Sequence, residues 1–393
     1  MSDLMIDQIL NISCKLVCGY LCAGQVALLR RQGFTTGLAK ALLENAYIYD
    51  HRIWVVDNSG SMQLADGTRI ITSLSSNSQK SVKTHQKPLS GKSVLDVTKA
   101  VSCTRWEELQ DTIKYHAQMA ALMHSPTIFK LLNDTGSLFA CNQFSVGESD
   151  SSTENERQVQ NVYKIIQKIR PGGVTPLTHH LQGIRQGIKD LEAQLRRYGK
   201  KVVVVLATDG LPTDEQGYDG PYVTKQFVEA LRSLEGLPVW VVVRLCTNEQ
   251  AVRDFYNSLD EQLELSLEVL DDYFAEASEV FKQNKWLNYG VPLHRCRELG
   301  YHDRLLDLID ERTLSSGEMR AFCALLFGID NIDDIPDPAA DWRSFSQKVD
   351  SLLQDEWEQW HPIRKKMSPW IDLKILERTY NRRIGMFSSL RKS

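Results

Sequence analysis

The chain contains no CxxC pair, and eight cysteines in 393 residues cannot build the disulfide framework of a small secreted domain. Cys14, Cys18 and Cys22 lie four apart, while Cys103, Cys141, Cys246, Cys296 and Cys323 are scattered. Reduced thiols in a cytoplasmic protein are the simplest reading. A charge excess is missing too. Lys and Arg number 46 against 50 Asp and Glu, a net −4, which removes the electrostatic case for a nucleic-acid binder. No internal repeat and no clean membrane span is present. The one long apolar run, Ile9 to Leu29, is interrupted by Lys15 and Gln25 and follows an acidic rather than a basic start. It reads as a partly buried helix, not as a signal peptide or a transmembrane segment. No GxSxG elbow occurs, so serine-hydrolase chemistry has no support. Gly91-Lys92-Ser93 looks like the end of a phosphate loop, but Gln86 stands where that pattern needs glycine.

What is present is apolar material for a packed core: 42% of the residues are hydrophobic, in a length that suits two or three domains or one large domain with extensions. Through the middle of the chain, apolar runs bounded by turn residues alternate with amphipathic stretches. The runs predict strands over 52–56, 127–132, 137–144, 202–208, 238–245 and 263–270. Helices are predicted over 106–123, 156–169, 177–198, 222–234 and 249–259. Continuous runs such as Val202–Leu206 suit strands covered on both faces, as in a parallel sheet between helix layers. Asn133-Asp-Thr-Gly136 predicts a short turn and hence one antiparallel pair. The expected fold is therefore an α/β, Rossmann-like open sheet of about six strands, mostly parallel, with one antiparallel edge strand. Residues 1–47 read as an N-terminal helical extension, with 36–46 its clearest helix. Residues 48–275 read as the α/β domain, interrupted over 64–102 by a Ser-, Lys- and Thr-rich stretch expected to be a mobile surface insertion. Residues 276–393 read as a C-terminal helical region without strands, with a capping box at Ser315 and Glu318.

The sharpest chemical signal is Ile53-Trp-Val-Val-Asp-Asn-Ser-Gly-Ser-Met62, an apolar strand that ends in Asp57-x-Ser59-x-Ser61. Ligand sites of open α/β sheets lie beyond the carboxyl ends of the strands. A carboxylate with two hydroxyls offers only oxygen donors, which suits a hard cation. Further along, Pro171-Gly-Gly-Val-Thr-Pro-Leu177 sets Thr175 on a glycine-rich loop before a helix, and a second buried run ends in Asp209-Gly210. With these elements in this order, residues 48–275 resemble the von Willebrand factor type A domain and its metal-ion-dependent adhesion site. The resemblance implies that Ser59 and Ser61 ligate Mg²⁺ (or Mn²⁺ or Ca²⁺) through their hydroxyls. Thr175 would bind directly in one state and through water in another. Asp57 and Asp209 would act mainly through waters and hydrogen bonds. It further implies a non-enzymatic protein-binding module, in which a partner's Asp or Glu carboxylate completes the coordination. About forty residues between the motif and the next helix depart from the family's pattern.

Other readings stay beside this one. The same residue types cap loops and helices. The alternative is a scaffold subunit of a larger intracellular complex, its metal site structural or vestigial and its helical termini carrying the contacts. An enzyme would need a base or nucleophile that the motif does not supply. His179-His180 read as ordinary helix residues, Asp214 as a solvated turn residue or a neighbour tuning the metal loop. His294, Cys296 and His302 lack a second ligand pair for zinc. Cys14, Cys18 and Cys22 read as a helix packing face. Trp342, Trp357, Trp360 and Trp370 read as anchors docking the C-terminal region on the core. That region is split in charge. Residues 329–361 hold nine acids and two bases, and residues 362–393 hold nine bases and two acids. Either the two segments fold together or the basic tail meets an acidic partner or an anionic membrane.

Overall fold

A computed structural model describes residues 23–73, 97–135 and 142–390. Its centre is a six-stranded sheet in the order β5-β4-β1-β6-β7-β8. The strands are β1 (Tyr49–Val56), β4 (Thr127–Leu131), β5 (Gln143–Val146), β6 (Lys201–Thr208), β7 (Val239–Leu245) and β8 (Leu267–Leu270). All pair in parallel except β4 with β5, where Thr127 faces Val146 and Lys130 faces Gln143. The expected α/β sheet with one antiparallel edge is the observed one. Residues 136–141, which hold most of the expected strand over 137–144, lie outside the described residues. Leu131 still donates to the Asn142 carbonyl at 2.9 Å, but Asn133 leaves the ladder to bond Asn58 and Val174.

Side chains alternate across β1. Trp54 and Val56 enter one core, with α3 (Arg105–Met123) and α4 (Ser152–Lys168). Ile53 and Val55 enter the other, with α5 (Leu177–Arg197), α6 (Pro221–Arg232) and α7 (Gln250–Gln262). That alternation follows from the two-residue period of a strand, and it explains why the central strands are apolar at every position. The covering helices carry the matching stripe: Leu177, Leu181, Ile184 and Ile188 of α5 recur at three- and four-residue steps and are all buried.

A third core lies on the outer side of α3, where Met119 and Met123 meet both terminal regions. It joins a helix over 23–31 (α1) and α2 (Thr36–Ile48) to the helices that follow the sheet. These are α8 (Tyr273–Gln283), α9 (Val291–Glu298), α10 (Arg304–Glu311), α11 (Ser316–Phe327), α12 (Trp342–Leu353) and α13 (Leu373–Leu390). α2 crosses α11 so closely that a Cβ on Gly37 would overlap the Leu325 carbonyl oxygen, and Gly328 ends α11 with φ +69°. Only glycine permits that approach and that backbone sign. The capping box at Ser315 and Glu318 forms as expected. Trp360 and Trp370 are buried anchors, Trp342 is half-buried, and Trp357 is exposed.

Two expectations need correction. The stretch over 64–102 is not simply a mobile insertion, because β2 (Gly67–Ser73) and β3 (Val97–Cys103) form an antiparallel stem in which Gly67 faces Cys103 and Ser73 faces Val97. Its Thr, Ile and Val residues suit a two-stranded ribbon despite the Ser- and Lys-rich composition around them, and Ile70 packs against the third core. Strands also do not stop after residue 275: β9 (Gln359–His361) pairs antiparallel with β10 (Lys366–Ser368). Three residues are too few to show a period. Cys14, Cys18, Cys22 and the Gly91-Lys92-Ser93 triplet lie outside the described residues. Among the described residues, no helix is long and apolar enough to cross a membrane.

Candidate functional site

β1 and β6 are neighbours at the centre of the sheet, and each ends in an aspartate. Asp57 follows Val56 and Asp209 follows Thr208. The chain continues from β1 to β4 on one side and from β6 to β7 on the other, so the two carboxylates flank the switch point where such sheets open a crevice. Asp57 donates its backbone N–H to the Ala207 carbonyl at 2.9 Å, which holds the two strand ends together.

The side chains form one connected chain of hydrogen bonds. Asp57 Oδ1 accepts the Ser59 backbone N–H at 2.8 Å, and Oδ2 accepts the Thr208 hydroxyl at 2.6 Å. The hydroxyls of Ser59 and Ser61 lie 3.0 Å apart, and Ser61 donates to Asp209 Oδ1 at 2.8 Å. Thr175 reaches the group through its loop. Gly60 N–H donates to the Gly173 carbonyl at 3.2 Å and Gly172 N–H to the Asn58 carbonyl at 2.7 Å. On the other side, Thr175 N–H donates to Thr213 Oγ1 at 2.9 Å. The residues expected at the site, Asp57, Ser59, Ser61, Thr175 and Asp209, thus stand on three interlocked loops. Four of them are buried, and Ser61 is the exposed member that gives the group access to solvent.

Burial lifts both carboxyls. Asp57 is pushed up to about 6 by desolvation and by the negative charge of Asp209, against the hydrogen bonds from Ser59 and Thr208. Asp209 is also raised by burial, opposed by Ser61 and Arg105. Asp57 is raised by the charge of Asp209 as well as by burial, whereas Asp209 has the Arg105 guanidinium beside it, and the atoms of the group that could face an ion are all oxygen. Among the described residues, no group of three or more His, Cys, Asp or Glu side chains is placed to hold a metal ion. This group has two carboxylates and three hydroxyls, so its fit is to a hard cation content with neutral oxygens, not to zinc or another soft metal.

No known family model and no curated protein matches this chain. The resemblance to a type A domain therefore rests on the motif residues and their arrangement.

Four residues that position the site were not among the expected site residues. Asn133 clamps the Thr175 loop by accepting the Val174 N–H at 3.0 Å and donating to the Val174 carbonyl at 2.7 Å. Asn58, inside the motif, accepts the Asn133 N–H at 2.8 Å. Gly173 holds φ +91° against this clamp, and a Cβ there would overlap the Asn133 side chain. The fourth is Arg105, whose Nη1 donates to Asp209 Oδ2 at 3.0 Å. Its partners lie 39, 104 and 144 positions away in sequence, beyond any spacing rule.

The remaining candidates fall elsewhere. His180 Nε2 bonds the Leu132 carbonyl at 3.1 Å and His179 pairs with Glu215 at 3.0 Å, as ordinary helix residues do. Asp214 accepts the N–H groups of Gln216 and Tyr218 and closes a turn. His294 bonds Tyr289 in the third core, and His302 stacks on Trp240. In the acidic segment, Glu356 accepts from the backbone and hydroxyl of Thr36 at 3.0 and 2.7 Å, tying residues 329–361 to α2.

Proposed function

We propose that this protein is a divalent-metal-dependent, non-enzymatic protein-binding module of the von Willebrand factor type A kind. The observation that supports it most is the pair of buried carboxylates, both raised by burial, at the ends of β1 and β6, with the hydroxyls of Ser59 and Ser61 between them. Ser59 and Ser61 would hold Mg²⁺, or Mn²⁺ or Ca²⁺, through their hydroxyls. Thr175 would bind it directly or through water, and Asp57 and Asp209 would orient waters around it. When bound, such a cation supplies an undercompensated positive centre that takes an Asp or Glu carboxylate from a partner protein. The exposure of Ser61 leaves that approach open.

Calorimetric titration with Mg²⁺ and Mn²⁺, beside affinity purification with and without EDTA, tests the reading. The wild type should take up the cation and lose its partners in EDTA. Asp57→Ala should fold, take up none and capture none. Absence of any cation uptake by the wild type, or partners indifferent to both EDTA and Asp57→Ala, overturns it. A second reading is a scaffold subunit with a vestigial site. The hydrogen bonds Ser59–Ser61–Asp209 favour it, since they satisfy these groups without an ion. It predicts partners retained in EDTA.

A further inference from the structure

Arg105 opens α3 and is 2% exposed, yet its guanidinium touches three carboxylates. One is Asp209 of the site, at 3.0 Å. Another is Asp66, just before β2, which takes Nε at 2.7 Å and Nη2 at 2.6 Å in a two-point contact. The last is Glu249, at the start of α7, which accepts from Nη2 at 2.9 Å. Asp209's side chain is sealed from solvent, whereas those of Asp66 and Glu249 are 56% and 58% exposed.

We propose that Arg105 is a built-in cation that competes with the divalent ion for Asp209 and thereby sets the ion affinity of the site. The inference rests on the metal-dependent reading above. One guanidinium divided among three carboxylates compensates none of them fully. Asp66 and Glu249 draw its charge toward the rim and leave Asp209 partly free for a second cation. If their charges are removed, the guanidinium belongs to Asp209 alone and a divalent ion meets a better-neutralised site. If the guanidinium is removed instead, Asp57 and Asp209 face each other uncompensated and hold a divalent ion more tightly. Arg105 is thus a positioning residue, not a ligand. Because Asp66 also stands at the foot of the β2–β3 stem, Arg105 links the stem to the site.

The sign of the effect is the test, because a merely structural role would weaken ion binding in both directions. Mg²⁺ and Mn²⁺ are titrated calorimetrically into the full chain as wild type, as Arg105→Gln and as the double variant Asp66→Asn with Glu249→Gln. Affinity should rise about tenfold in Arg105→Gln and fall about tenfold in the double variant. The rise in Tm on adding Mg²⁺ should grow and shrink in the same order. Shifts of one sign in both variants, or none in either, overturn the role of Arg105 while leaving the metal site standing. No binding by any of the three proteins overturns the metal reading and this inference with it. If Arg105→Gln does not fold, Arg105→Lys stands in for it: a single ammonium holds Asp209 less firmly than the guanidinium, so ion affinity should rise, and an unchanged or lower affinity overturns the role of Arg105.

Discussion

Glu298 and Asp57 are both carboxylates sealed from solvent, yet their surroundings push them in opposite directions. At Glu298, the last residue of α9, burial alone would raise the carboxyl, but Arg295, His294 and His116 hold it well below its ordinary value. Arg295 lies 2.6 Å away, His116 2.9 Å and Arg244 3.3 Å. At Asp57, burial and the charge of Asp209 act together, and the hydrogen bonds do not offset them. One cluster is compensated from within the chain and acts as an internal tie between the sheet, α3 and the third core. The other is short of positive charge, at the place where an open sheet receives ligands. A fold can bury charge for either purpose, and local compensation tells the two apart.

The largest test removes the compensated side altogether. A chain ending at residue 275 loses most of the third core that covers α3, including the seat of α2. It should show no cooperative thermal transition by circular dichroism and should bind a hydrophobic dye. Detachable assembly helices would leave a folded sheet domain instead. Next, Glu298→Gln strands Arg295 without its buried counter-charge, leaves Arg244 to Glu108 alone, and should cost about 3–5 kcal/mol in urea unfolding. The pH dependence follows. Burial pulls His116 down to about 4, so the folded state favours its neutral form. Its contribution is intact above about 6.5 and is lost as pH falls through 4, up to about 3 kcal/mol. His116→Gln should flatten that limb of the stability curve. The raised Asp57 has the reverse sign, with a contribution that is full below its unfolded value and lost as pH rises through about 6. The smallest effect is accordingly opposite in direction to the second. In metal-free buffer Asp57→Asn should be neutral or stabilising by about 1 kcal/mol, because Thr208 can turn to accept from the new amide. A large destabilisation by Asp57→Asn would erase the contrast.

The sheet was legible because its central strands are covered on both faces and therefore read as unbroken apolar runs, Val202–Leu206 above all. Asp57, Ser59 and Ser61 were legible as a local motif, and Asp209 and Thr175 because their order along an alternating α/β chain limits where they can meet. Arg105 was not. Nothing in Thr104-Arg-Trp106 distinguishes a site residue from a helix start, since its meaning comes from Asp66, Asp209 and Glu249 arriving from distant segments. Asn133 likewise reads as a turn former, because its clamp on Val174 is a tertiary contact. The β2–β3 stem was hidden by its polar setting, and the β9–β10 pair by brevity.

The crossing of Gly37 on α11 also bears on the order in which this protein can be finished. α2 precedes the first strand, but the surface it rests on ends at Gly328. While the sheet is being synthesised, α2 can meet β1, but the face it turns to α11 waits uncovered for nearly three hundred further residues. A chaperone or the ribosome surface has that interval in which to act. Docking of α2 on α11 is then a closing step, possible only after α11 has emerged.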